Sequence, residues 1–297
     1  MTETTASLDQ VTVVIVTYNS RHCIADLARA LATFPHVFIS DNASEDGTTQ
    51  AVRDALPQAQ VLVHETNLGF GAANNRALAQ VTTPFAFLLN PDCEARPDAV
   101  LSLLDYLLQD VRAAVAAPQI MRSHGAAEIS YRWPSILWPA QGAQAEGPCC
   151  VGFVTGAALL LRMAYGQDLG FFVEDFFLYY EDEDLCLRLF QAQRAIVVVP
   201  SVRLTHASRG SVRGQHPVRA EFWRGFHHVQ SKILFAHKHR SAQTAQRLMT
   251  RTWALACLGL PLRLLLPAPR MLARWCGRIA GAWGMRGRLR ALSAGGV

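Results

Sequence analysis

The chain has 297 residues, 51% of them hydrophobic, and a formal net charge of +5 that hides a split. All 23 acidic residues lie at or before Glu221 together with 15 Lys and Arg, a local balance of −8, while the last 76 residues carry 13 Lys and Arg and no acid. Seven scattered cysteines without a C-x-x-C pair exclude a disulfide framework and a zinc site and fit a reducing cytoplasm, and MTETTASLDQ lacks the basic and apolar regions of a secretory leader.

Val11 to Val16 is nearly pure β-branched sequence and predicts a parallel strand buried on both faces. Thr17-Tyr18-Asn19-Ser20 ends it, and Arg21 to Thr33 has helical spacing. Further strands are expected at Val37–Ile39, Val61–Val63, Phe85–Leu89 and Val115–Ala117. Helices are expected between them at Gly47–Leu56, Gly71–Ala79 and Asp98–Gln109. This alternation implies a doubly wound α/β fold with a parallel sheet and right-handed crossovers.

Ser123 to Pro148 breaks the rhythm with Gly, Ala, Gln and Pro around Tyr131, Trp133 and Trp138. Ala157–Leu161 predicts another strand, and Phe176 to Arg188 an aromatic run leading into an acidic helix. Ile196–Val199 is the last expected strand, with Thr205-His206 soon after. From Ala220 the pattern is helical and increasingly basic.

Four polar clusters follow predicted strands: Thr17-Tyr18-Asn19, Asp41 to Ser44, Asn67 to Gly71, and Asn90-Pro91-Asp92. Parallel strands open on one edge of the sheet, so the clusters line one crevice. Pro91 forces a turn that exposes the Asn90 amide and the Asp92 carboxylate, oxygen ligands suited to a hard divalent cation such as Mg2+ or Mn2+. No G-x-G-x-x-G or G-x-x-x-x-G-K-[ST] is present, so neither a dinucleotide fold nor a P-loop is supported.

In this order, VVIVTYNS (13–20), DNASEDGT (41–48), NLGFGAANNRA (67–77), LLNPDCE (88–94) and FFLYYEDEDLCLRL (176–189) resemble glycosyltransferase family 2, the GT-A fold, in its bacterial rhamnosyltransferase-like branch. The resemblance spans residues 11 to about 206. It implies a Rossmann-like, mostly parallel central sheet with helices on both faces, and a nucleotide-sugar donor. Asn90-Pro91-Asp92 then stands where the family carries D-x-D, with Asp92 as the metal ligand. His206 resembles a histidine that completes such a site, or is a surface histidine in a polar loop. Asp41 resembles the acid that accepts the imino N–H of uracil or thymine, and an Asx-turn with Ser44 is compatible with that role. Thr17, Tyr18 and Asn19 would face base and ribose; Asn67, Gly69, Asn75 and Arg76 would lie near the diphosphate and sugar.

Glu181 to Asp184 offers four carboxylates behind five aromatic or apolar residues. Acids at a helix start are ordinary caps, but crowding of like charges raises carboxyl pKa values and suits a general base. The family pattern puts the base at Asp182; the spacing of Asp184 to Arg188 fits an i,i+4 ion pair. A single base opposite the leaving group implies inversion. The family's F-D-E reads Phe172-Val173-Glu174 here, so Glu174 or Asp175 would substitute for the missing acid.

The domains expected are a catalytic 1–215 and a helical, basic 216–297. Thr252 to Leu262 is too short and too interrupted by proline to span a bilayer. Arg270, Arg274 and Arg278 recur on one side of the next stretch, and Leu272, Trp275, Ile279 and Trp283 on the other. This is an interfacial pattern, although Gly277, Gly281, Gly284 and Gly287 weaken a helix; a lid or an oligomer contact is the alternative. No DNA- or RNA-binding motif accompanies the charge, so nucleic acid is not an expected partner. The expectation is an inverting, metal-dependent enzyme at the cytoplasmic face of a membrane. It would move L-rhamnose from dTDP-rhamnose, or a sugar from a UDP donor, to a lipid-linked glycan or polysaccharide. An idle family member serving as an assembly partner is the alternative from another class.

Overall fold

A computed structural model describes residues 5–94, 96–132, 144–207, 217–265 and 268–294. Trp133, Trp138, Pro267 and the expected 215/216 boundary lie outside the described residues. In chain order, β1 (Val11–Thr17), α1 (Ile24–Leu31), β2 (His36–Asp41), α2 (Thr48–Ala55), β3 (Gln60–Val63), α3 (Phe70–Leu78), β4 (Phe85–Leu89) and α4 (Pro97–Gln109) make the expected βα alternation. All seven residues of β1 and all five of β4 are buried. Side chains alternate between the two faces of a strand. Val11, Val13, Ile15, Phe85 and Phe87 therefore join Leu27, Leu31, Leu103 and Leu107 in one core. Val14, Ala86 and Leu88 join Ala77, Leu78, Leu185 and Leu189 in the other.

The chain continues through β5 (Ala113–Arg122), β6 (Ala127–Glu128), β7 (Tyr131–Arg132), β8 (Cys149–Val151), β9 (Phe153–Val154) and β10 (Ala158–Arg162). Then come α5 (Met163–Leu169), α6 (Glu181–Gln191) and β11 (Ala195–His206). The sheet order is β3-β2-β1-β4-β10-β5-β11-β8, with β6 beside β5. Among the described residues three strands of this sheet depart from the expected parallel pattern: β8 and β6 pair antiparallel with β11 and β5, and β10 lies antiparallel between β4 and β5. It is entered through Gly156 and Ala157 at the edge where β4 ends, without the helical crossover that a parallel strand needs.

β11 is also longer than the expected Ile196–Val199. It bulges between Val199 and Arg203, around Pro200, and resumes pairing with β5 from Arg203 to His206. His206 is thus at a strand end rather than in a loop.

By internal contacts the chain divides into residues 1–174 with 182–213, and residues 175–181 with 214–297. The second unit holds α7 (Pro217–His239), α8 (Ala242–Leu264) and α9 (Pro269–Ala294). Its glycines serve a purpose that helix propensity alone hides. A Cβ at Gly277 would lie 2.0 Å from the Phe222 carbonyl oxygen, one at Gly225 2.2 Å from that of Arg274, and one at Gly281 2.5 Å from that of Phe226. α7 and α9 therefore meet backbone to backbone. The opposite, Trp-bearing side of α9 faces α8, where the Trp275 indole N–H donates to the Ala256 carbonyl at 2.5 Å. In the same unit Phe177 stacks on His227 at 4.4 Å, and Tyr179 and Tyr180 flank His228. Among the described residues, no helix is long and apolar enough to cross a membrane.

Candidate active site

Parallel register places Thr17 beside Asp41 at the C-terminal ends of β1 and β2. Asp41 is 1% exposed, and its carboxylate is the hub of this end of the crevice. Oδ1 accepts from the Thr17 hydroxyl at 2.8 Å and the Ser44 hydroxyl at 2.7 Å. Oδ2 accepts from the Ser44 amide and the Thr49 hydroxyl, both at 3.0 Å. The turn with Ser44 is therefore formed, and each oxygen already accepts two donors. Asn19 is left-handed (φ 51°), a region asparagine tolerates. Its backbone N–H donates to Ser44 Oγ at 2.8 Å and its side-chain oxygen accepts from the Glu45 N–H at 2.9 Å. Tyr18, 38% exposed, is the open surface at this end.

Asn42 ties the next cluster down. Its amide nitrogen donates to Asn67 Oδ1 at 2.9 Å and to the Gly69 carbonyl at 3.1 Å, and its Oδ1 accepts the Leu68 N–H at 2.7 Å. Gly69 has φ 88° at the start of α3, which glycine adopts without strain. Asn75 and Arg76 turn toward the Phe172-Val173-Glu174 segment. The Asn75 amide nitrogen donates to the Phe172 carbonyl at 2.8 Å, and Asn75 Oδ1 accepts the Phe172 N–H at 3.1 Å. Arg76 grips Glu174 with two nitrogens, at 2.9 and 3.2 Å. Asn75 thus braces this segment, and Glu174 is the acid that the segment retains on this side.

The turn after β4 folds onto the end of β11. The Glu94 N–H donates to the Thr205 carbonyl and the Ala207 N–H to the Asp92 carbonyl, each at 3.0 Å, so Cys93 and His206 face each other as a short antiparallel bridge. This pairing puts His206 Nε2 3.3 Å from Asp92 Oδ1. The Asp92 side chain is 2% exposed, and a carboxylate so buried favours a cation or strong donors beside it. Asp92, Cys93 and His206 present ligand atoms within 4.8 Å of one another. Burial, and then the Asp92 charge, hold the Cys93 thiol well above its ordinary pKa, and it donates to the Ala157 carbonyl at 3.3 Å. Hard ions such as Mn2+ or Mg2+ prefer oxygen and imidazole ligands over a thiol, so the set that fits them is one carboxylate and one imidazole. The Asn90 N–H donates to that same Ala157 carbonyl at 2.8 Å.

Asp182 is held by Gly156, the residue before Ala157. Its Oδ2 accepts the Gly156 N–H at 3.0 Å. Glu181, Glu183 and Asp184 are buried, while Asp182 is partly accessible. Asp184 holds Arg188 at 2.7 Å, the spacing expected of an i,i+4 pair. Arg188 also donates to the carbonyls of Leu169 and Phe171. Gly156 and Ala157, adjacent in the chain, therefore anchor two groups: the first holds Asp182, the second holds the Asn90–Cys93 turn. Adjacent Cα atoms lie about 3.8 Å apart, so the two acids are fixed by one stretch of backbone.

The sequence profile of glycosyl transferase family 2 matches residues 12–169. The N-acetylglucosaminyl-diphospho-decaprenol L-rhamnosyltransferase of Mycobacterium tuberculosis is 31% identical over 269 residues, covering 78% of this chain and 85% of that protein. The chain belongs to glycosyl transferase family 2. Its GT-A fold is shared with the mannosyltransferase PcManGT from Pyrobaculum calidifontis, solved with GDP-Man and Mn2+, at a TM-score of 0.56 and 18% identity, over 92% of this chain and 86% of that one. Staphylococcus aureus TarS 1-349 gives 0.55 at 16% identity, over 93% and 91%.

Within this family 2 glycosyltransferase, several supports went unread in the sequence. Gly156 and Ala157 act through backbone atoms, which leave no side-chain signal. Cys93 reads as an ordinary residue until β11 is seen to run on to His206. Asn42 sits inside a visible cluster, but its role as the tie to Asn67 and Gly69 needs the two loops side by side. His64, hydrogen-bonded through Nε2 to the Ser40 hydroxyl at 2.8 Å, is a further, half-buried brace.

Proposed function

We propose that this glycosyltransferase is an inverting, divalent-metal-dependent enzyme. It moves L-rhamnose from dTDP-rhamnose onto a lipid-linked glycan or polysaccharide acceptor, at the cytoplasmic face of a membrane. The donor reading is supported by the 31% identical relative, which by its name is an L-rhamnosyltransferase acting on a diphospho-decaprenol lipid. The observation that carries the mechanism is the shared anchor: Asp182 on the Gly156 N–H and the Asn90–Cys93 turn on the Ala157 carbonyl.

In this reading residues 1–215 form the catalytic domain, and residues 216–297 a region that meets an anionic membrane surface. Thr17, Tyr18, Asn19 and Asp41 take the nucleoside; Asp41 shapes this pocket through the Thr17 and Ser44 hydroxyls and shares an oxygen with the base. Asn67 and Gly69 lie near the diphosphate, at the N-terminal end of α3, whose dipole favours negative charge. Arg76 contributes positive charge from the same helix. Asp92 and His206 would hold the metal, with Asn90 beside them. A divalent cation bound there supplies the charge that stabilises a departing nucleoside diphosphate.

Asp182 accepts the proton of the acceptor hydroxyl as that oxygen attacks the anomeric carbon. The C–O bond to the nucleoside diphosphate breaks on the opposite face, so the configuration inverts. The Gly156 N–H fixes the carboxylate before the acceptor arrives, which limits the ordering cost of the reaction.

A thermal-shift panel of dTDP-, UDP- and GDP-sugars with Mn2+ or Mg2+ tests the proposal. Metal-dependent stabilisation led by dTDP-rhamnose is expected. A lead by a UDP-sugar would move the donor assignment within the same mechanism, and no shift by any donor would favour an idle assembly partner.

A further inference from the structure

The tail's lipid-facing surface does not fall where the sequence pattern puts it. The Trp-bearing side of α9 is taken by α8: a Cβ at Gly259 would lie 2.7 Å from the Trp275 ring, and Trp253 and Trp283 meet at 5.9 Å. The open leucines of this unit, among the described residues, gather on α8. Leu255, Leu258, Leu262 and Leu265 are 54%, 77%, 65% and 80% exposed. They recur three or four residues apart, so they form one ridge along the C-terminal half of this helix. Leu264 at the end of α8 and Met271 at the start of α9 are exposed as well.

We infer that this leucine ridge enters the acyl region of an anionic lipid leaflet while the arginines around it meet the lipid phosphates. The inference rests on the reading of the tail as a membrane-binding region and names the face that does it. Charge selects the occupant. No acid lies between residues 222 and 297, which carry 13 Lys and Arg, so a second copy would bring like charge against like. Glu221 is engaged by Arg224 and Arg274, and Asp175 by Arg288.

Arg263 follows Leu262 directly, and both it and Arg278 lie over the Trp275 ring, at 4.9 and 5.7 Å. Arg286 sits 3.9 Å above the Trp283 ring, and Trp283 is half exposed. Guanidinium groups stacked on indoles at the border of an apolar ridge match the interfacial layer of a bilayer, where both are favoured. Nucleic acid would need the charge on the open face itself, and that face is apolar.

Flotation of the full chain with phosphatidylcholine vesicles containing phosphatidylglycerol tests this. Leu258→Asp/Leu262→Asp alters two side chains already in water, so melting should be unchanged. Wild type should float, and the double variant's partition coefficient should fall at least about tenfold, since acyl-chain burial of leucine is lost and charge is added. Equal flotation of both proteins would overturn the ridge and leave the tail reading intact. No flotation of wild type would remove the tail reading and the ridge with it. A wild-type dimer in lipid-free buffer that the double variant loses would make the ridge a contact between copies, and would also overturn the inference.

Discussion

Asp182→Asn should separate binding from chemistry. The asparagine is close to isosteric, and its carbonyl oxygen can still accept the Gly156 N–H that Asp182 Oδ2 accepts at 3.0 Å. The turn that carries Ala157, and with it the Asn90–Cys93 segment, should therefore stay in place. The amide nitrogen then faces the Glu183 N–H that Asp182 Oδ1 accepts at 2.9 Å, so the exchange costs stability about 1–3 kcal/mol. What the amide cannot do is take a proton. General-base assistance is typically worth ~10²- to 10⁴-fold in rate, or about 3–5 kcal/mol at the transition state. We expect kcat for transfer to fall within that range, while donor affinity by titration calorimetry changes less than about threefold, a difference below ~0.7 kcal/mol. A kcat within about fivefold of wild type would refute the assignment, because a fivefold loss is about 1 kcal/mol, too little for a base. An equal fall in kcat and in donor affinity would instead mean that Asp182 holds the donor.

Other expectations follow from the same contacts. His206→Ala should weaken Mn2+ binding, read by titration with the nucleoside diphosphate present. Loss of even an outer-shell partner costs about 10- to 100-fold in affinity, so a direct ligand should cost at least that. Gly277→Ala should destabilise the helical unit, since the new methyl meets the Phe222 carbonyl oxygen at 2.0 Å and α7 and α9 must part. A loss of about 1–3 kcal/mol by urea denaturation is expected, and an unchanged midpoint would contradict the packing. The pH dependence of stability tests the His228 environment. Burial, then the charges of Arg278, Lys232 and Arg274, push its pKa down to about 4. The unfolded chain takes up this proton below about pH 6.5 and the folded one does not, so stability should fall as pH drops from about 6.5 toward 4, by up to ~3 kcal/mol. A neutral His228→Gln variant should flatten that slope in urea melts, and an identical slope would contradict the burial argument.

The βα alternation was legible because buried parallel strands are nearly pure in β-branched and aromatic residues, as Val11–Thr17 and Phe85–Leu89 are. The polar clusters were legible because strand ends carry turn residues. What stayed hidden depends on pairing. β11 reads as ending at Pro200, but the bulge there lets pairing resume and carries His206 to the edge beside Asp92. β10 carries no mark of its antiparallel direction, which is set by where Gly156 and Ala157 enter the sheet. Among the four acids of Glu181 to Asp184, the sequence offers no burial, and burial is what leaves Asp182 as the accessible one. The glycines of α9 read as helix-weakening, yet they face the α7 backbone. Its tryptophans read as lipid-facing, yet Trp275 packs on α8 and Trp283 is covered only in part. A single helix's pattern shows which sides are apolar or small, but not what covers them.

In the proposed mechanism Asp92 and His206 hold a divalent ion for a nucleotide-sugar donor, and Asp182 is the base. Transfer from radiolabelled dTDP-rhamnose to a polyprenyl-diphosphate-linked N-acetylglucosamine acceptor, with EDTA and with Mn2+ restored, tests it most directly when run with the Asp92→Asn variant alongside. Transfer should proceed with inverted anomeric configuration, be abolished by EDTA, return with Mn2+, and be lost in the variant at any Mn2+ concentration. Undiminished transfer in EDTA, or an Asp92→Asn enzyme as active as wild type, would contradict it.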